Sequence, residues 1–157
     1  MALSMQGISA MILSSLNTYR NTDYCTINDC KLVLNNLIRN FRTPLRKEKR
    51  HREFWSINAF NKDIKYIKDH AIPVMVLMDT LFAWDNIEMN ADNIKSISDF
   101  LEFNLVIVKI TEEEDHILNS SGFQRKMPSE YFDRASELYN DLWARYKVTE
   151  LFKNILT

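Results

Sequence analysis

The chain has 157 residues, a formal net charge of −1 and a hydrophobic fraction of 46%, with 9 Phe, 6 Tyr and 3 Trp. That length and apolar content suffice for a folded core without disulfide or metal staples, which excludes a disordered chain, and the near-zero charge leaves any attraction to nucleic acid to a local patch. Gly7 and Gly122 are the only glycines, too far apart to build a phosphate-cradling loop, so P-loop and dinucleotide-binding readings are excluded.

So few turn-forming glycines and prolines disfavour tight hairpins and favour helices joined by polar loops. The expectation is an α+β protein: a predominantly helical single domain over 1–157, with a helical part at 1–62, a central core at 63–128 and terminal helices at 129–157. No apolar run approaches the roughly 20 residues a membrane span needs, and the N-terminus lacks a basic region followed by an apolar stretch. A cytoplasmic protein with no membrane partner is expected.

Met5, Ile8, Ile12, Leu16 and Tyr19 recur at helical spacing, predicting a first amphipathic helix that ends near Asn21. Cys30, Val33, Leu34, Leu37, Ile38 and Phe41 repeat the pattern behind a cap at Asn28. Cys25 and Cys30 lack a second pair to complete a zinc tetrahedron, and Cys30 lies on the apolar stripe, so packing is its expected role. Thr43 and Pro44 read as cap and first helical residue of a segment carrying Arg46, Lys47, Lys49, Arg50, His51 and Arg52. This is the most basic stretch of the chain. It reads equally as a solvated helix or as a surface for phosphates, with Arg46 and Arg50 as contacts.

Residues 64–69 suit a short strand, and Pro73 starts a helix with Val74, Leu77, Leu81 and Phe82 inward. Asp92 is placed as the cap of another helix with Ile94, Ile97, Phe100 and Leu101 inward. Leu105, Val106, Ile107 and Val108 form the one continuous run of strand-favouring residues, whose natural partner is the strand ending at His70. Two strands give a small two-stranded sheet. Thr111 and Glu114 then make a capping box, and Gly122 suits the left-handed position after the helix end. Ser129 is expected to cap a last long helix with Phe132, Ala135, Leu138, Tyr139, Leu142 and Tyr146 inward, and Leu151, Phe152, Ile155 and Leu156 are expected to pack back onto the body.

Two polar clusters could carry chemistry. Asp69 and His70 close a strand, and a carboxylate beside an imidazole is a compact way to hold a divalent metal and activate a water. On the capped helix, Glu112, Asp115, His116 and Asn119 share one sector, and the one-turn spacing of Asp115 and Asn119 lets two oxygens approach one cation. The competing readings are a hydrogen-bonded surface pair and the solvent face of an amphipathic helix. Trp55, Trp84 and Trp143 lie on or beside apolar stripes and read as core rather than as platforms for bases. No Gly-x-Ser-x-Gly elbow, His-Glu-x-x-His helix or Cys-x-x-Cys pair occurs.

A strand ending in Asp-His, a second strand and then a helix with polar ligands resembles the HNH, or His-Me finger, nuclease superfamily. The segment Asp69-His70-Ala71-Ile72-Pro73-Val74, with residues 105–119 and Gln124-Arg125-Lys126-Met127-Pro128, is also similar to a group of small bacterial and prophage proteins with the pattern DH-IPV, ITxEED-xxLN and RxKMP. The likeness covers about the second half of the chain. It implies His70 as the general base, Asp69 as a ligand of Mg²⁺ or Mn²⁺, and Asp115 or Asn119 as the helix ligand. It further implies DNA as substrate, hydrolysed at its phosphodiester bonds, with Arg125 and Lys126 gripping the backbone. In that superfamily the helix ligand is commonly His or Asn, and the connection between the strands is shorter than here. The alternative is a non-enzymatic helical interaction or inhibitor protein of a phage or mobile element. It would bind a protein partner or a second copy through the acidic face at 112–115 and the basic segment near Arg50.

Overall fold

The Ser4 hydroxyl accepts from Gly7 N at 3.0 Å and opens α1 (Met5–Asn21), whose Ile8, Ile12, Leu13 and Leu16 are buried. The computed structural model describes residues 4–41, 52–61 and 65–157. The helix expected from Thr43, with Arg46 and Arg50, lies outside the described residues, as does Ile64. Next comes α2 (Ile27–Asn40), capped at Thr26 rather than Asn28. Thr26 and Asp29 close a reciprocal capping box, satisfying two backbone amides that Asn28 would leave open. Cys30, Leu34, Leu37 and Ile38 are buried along this helix, whereas Val33 is 40% exposed.

Short elements follow: β1 (Glu53–Ser56), α3 (Ile57–Phe60) and β2 (Ile67–His70). Then come α4 (Val74–Phe82) and α5 (Ala91–Asn104), the latter started not by Asp92 but by Asn90, whose side chain accepts from Asn93 N at 2.8 Å. The chain continues through β3 (Ile107–Ile110), α6 (Glu112–Ser120), α7 (Ala144–Val148) and β4 (Ile155–Leu156), with 3-10 turns at Ser129–Tyr131 and Leu151–Asn154. The Thr111–Glu114 capping box starts α6, and Gly122 follows its end with φ of 82°, in the left-handed region that glycine tolerates.

The protein is α+β, with a four-stranded sheet rather than a two-stranded one. The strand order is β2-β3-β1-β4, with β2 antiparallel to β3, β3 parallel to β1, and β1 antiparallel to β4. The two expected strands do pair, His70 opposite Ile107 and Asp69 opposite Val108. The added strands are short: β1 takes up the aromatic pair Phe54 and Trp55, and β4 is made from the terminal Ile155 and Leu156.

The long helix expected from Ser129 does not form. Asp133 accepts from Ala135 N at 2.9 Å, Ser136 from Leu138 N at 3.0 Å and Asp141 from Trp143 N at 2.9 Å, while Asn140 takes a φ of 52°. These side chains satisfy the backbone in turns, the competition that disfavours Asp, Ser and Asn inside helices. Only Ala144–Val148 remains helical.

The chain divides into two units, Met1–His51 with Leu77–Phe103, and Arg52–Val76 with Asn104–Thr157. In the described part of the first, α1 and α2 pack together. Arg20 donates to Phe82 O at 2.5 Å, Asn17 to Ile87 O at 3.2 Å, and the Tyr19 and Phe82 rings meet edge to face. In the second, Val108, Ile110, Leu118, Tyr146, Leu151 and Ile155 are buried around the sheet. Among the described residues, no helix is long and apolar enough to cross a membrane.

Candidate functional site

Side chains alternate between the two faces of a strand, and directly paired residues share a face. Applied to the observed register, this divides the second unit's sheet in two. One face carries Asp69, Val108, Ile110, Phe54, Ser56 and Ile155; the other carries Lys68, His70, Ile107, Lys109, Glu53, Trp55 and Leu156.

On the first face, α7 supplies Arg145 and Tyr146, with relative exposures of 1% and 0%. Arg145 donates to Ala71 O at 3.0 Å and Phe123 O at 2.8 Å, and its Nη2 donates to His70 O and to Asp69 Oδ2. The Tyr146 hydroxyl donates to the same Asp69 oxygen. A buried guanidinium is stable only when paired and hydrogen-bonded, and here every donor nitrogen has an acceptor. Burial, and then the charge of Asp69, holds the Tyr146 phenol well above the usual tyrosine range.

Beside it, Glu114 is 4% exposed and accepts from four donors. They are Ser56 Oγ at 2.6 Å, Asn58 Nδ2 at 3.0 Å, Asn154 Nδ2 at 3.5 Å and the amide of its own capping partner Thr111 at 3.0 Å. The capping carboxylate therefore also fastens α6 to β1, α3 and the segment before β4.

The sequence-predicted residues are distributed unevenly. Asp69 and His70 are both partly buried, but they point to opposite faces of β2. Asp115 and Asn119 do meet, Asn119 Nδ2 donating to Asp115 Oδ2 at 2.8 Å, while Asn119 Oδ1 is buried with no partner. Arg125 and Lys126 are exposed in the loop after Gly122. Of the two apolar residues of α6, Ile117 is 40% exposed and Leu118 is buried.

The donor set fits a divalent cation poorly. Asp69 Oδ2 is already shared by Arg145 and Tyr146, and Asp115 Oδ2 is occupied by Asn119. Among the described residues, no three His, Cys, Asp or Glu side chains gather around one point. No family model, curated protein or solved structure matches this chain.

The opposite face holds Trp55, which the sequence assigned to the core. Trp55 meets Tyr66 with ring centroids 4.9 Å apart and Phe60 at 6.0 Å, both edge to face. Lys109 Nζ lies 4.3 Å from the Trp55 centroid and 5.2 Å from that of Tyr66, and pairs with Glu53 at 2.8 Å. Phe60 is 62% exposed and Tyr66 38%. The signal available in sequence was the alternation Tyr66-x-Lys68-x-His70, legible only once Lys109 and Trp55 are known to lie alongside.

Proposed function

We propose that this chain acts by binding a partner rather than by turning over a substrate, and that Asp69 is a structural anchor. The supporting observation is the division of the Asp-His pair across β2. Asp69 is drawn to Arg145 and Tyr146, and His70 lies on the face bearing Trp55 and Lys109. A base and a ligand serving one reaction centre must approach one point, and adjacent strand residues do not. The reading belongs with the non-enzymatic interaction proteins of the sequence-based alternative.

The test compares thermal unfolding with DNA cleavage. Asp69→Asn should lower the melting temperature, because it removes the charge facing a buried guanidinium, and wild-type protein should leave supercoiled plasmid intact with Mg²⁺ or Mn²⁺. Nicking by the wild type that disappears in His70→Ala overturns the proposal.

One observation favours a second reading, the metal-dependent nuclease: β2 and β3 pair antiparallel and α6 follows at once, the order of parts on which the resemblance rested. In that reading His70 takes the proton from water, and Arg125 and Lys126 contact DNA. The same plasmid assay decides between the two.

A further inference from the structure

The sheet face opposite Asp69 combines exposed rings with uncompensated positive charge. Lys68 and Lys109 stand directly opposite each other in the β2–β3 register. Like charges at such a position repel. Glu53 and the Trp55 ring compensate Lys109, but Lys68 is exposed and has no ion-pair partner among the described residues. Next to this pair, the edge-to-face cluster of Trp55, Tyr66 and Phe60 leaves the Phe60 ring largely open.

From this juxtaposition we infer that the open sheet face binds an unpaired polynucleotide strand, with bases stacking on Phe60 and Tyr66 and a phosphate held by Lys68. The inference rests on the binding reading above and names its partner. Rings on a sheet surface accept bases only when these are splayed out, and a duplex keeps their faces stacked away. Lys68 supplies the sequence-independent attraction to phosphate. An acidic polypeptide would satisfy Lys68 but has no use for the open ring. A lipid surface would draw the largest ring outermost, whereas Trp55 lies against Lys109.

The test is fluorescence anisotropy of an end-labelled thymidylate 20-mer with the full chain. Wild type should bind, and raising salt should weaken binding with a log–log slope of roughly −0.7, from the one phosphate at Lys68. Phe60→Ala should weaken binding about tenfold at unchanged slope. Lys68→Glu should weaken it by a similar factor and reduce the slope by about 0.7. Both side chains are exposed, so unchanged thermal melting certifies the fold. The inference is overturned if wild type ignores the strand, if either variant binds as wild type does, or if duplex DNA, polyglutamate or phosphatidylserine vesicles compete as well as the unlabelled strand. Absence of strand binding with intact plasmid removes this partner alone; nicking that depends on His70 removes the binding reading itself.

Discussion

The two faces of the second unit's sheet lie one residue apart along each strand and differ in almost every physical respect. The closed face buries a carboxylate, a guanidinium and a phenol that satisfy one another, beside a second carboxylate with four donors. The open face keeps Lys68, Tyr66 and Phe60 at the surface. Buried ionic groups are costly to disturb because the partner left behind cannot regain water, whereas exposed charges and rings contribute little to folding. The closed face therefore carries stability and the open face is available for recognition. Strand alternation assigns Asp69 to one and His70 to the other.

The sharpest way to break this contrast is Arg145→Leu. It leaves the Asp69 carboxylate and three carbonyls without their guanidinium donor, so a loss of about 3 to 5 kcal/mol is expected, read as a melting temperature lower by roughly 10 °C. A loss below about 1 kcal/mol would mean the guanidinium is not the anchor described. Glu114→Ala should follow at about 2 to 3 kcal/mol, since Ser56, Asn58 and the Thr111 amide lose their acceptor together. Denaturant unfolding with an unchanged m-value is the check.

Tyr146→Phe is smaller, about 1 kcal/mol near neutral pH, and carries a pH signature. The folded phenol titrates well above its ordinary value, through burial first and the Asp69 charge second. Its stabilising contribution is then complete below about pH 10, the unfolded value, and is lost as pH rises toward the folded one. Cys30, pushed up to about 11 from 9.0 mainly by burial, acts in the same direction between those values. Wild-type stability should fall in alkali, and Tyr146→Phe should flatten part of that fall; identical pH profiles would exclude the phenol as its source. At the low end, Phe60→Ala and Lys68→Glu on the open face should change stability by no more than about 0.5 kcal/mol in thermal melts.

Local rules were enough for much of the scaffold. The Thr111–Glu114 box, the left-handed Gly122 and the apolar stripes of α1 and α2 were all legible, because each depends on residues within one or two turns. The segment after Ser129 misled for an equally local reason. Its apolar spacing is helical, but Asp133, Ser136 and Asp141 offer their backbone neighbours turn hydrogen bonds that a periodicity count does not weigh. The strands β1 and β4 escaped notice because they exist through the pairing of Trp55 with Leu156 and Ser56 with Ile155 across the length of the chain, which no local pattern announces.

From the sequence alone come the predominance of helix, the capped start of α6, the β2–β3 pair and the polar character of Asp69, His70, Asp115 and Asn119. What only the tertiary structure decided is what those groups face. Arg145 lies 76 positions from Asp69, and no spacing rule links them; the register of a four-stranded sheet brings them together. A carboxylate's chemistry depends on whether water, a cation or a buried guanidinium meets its oxygens, and that is decided by packing between residues distant in the chain.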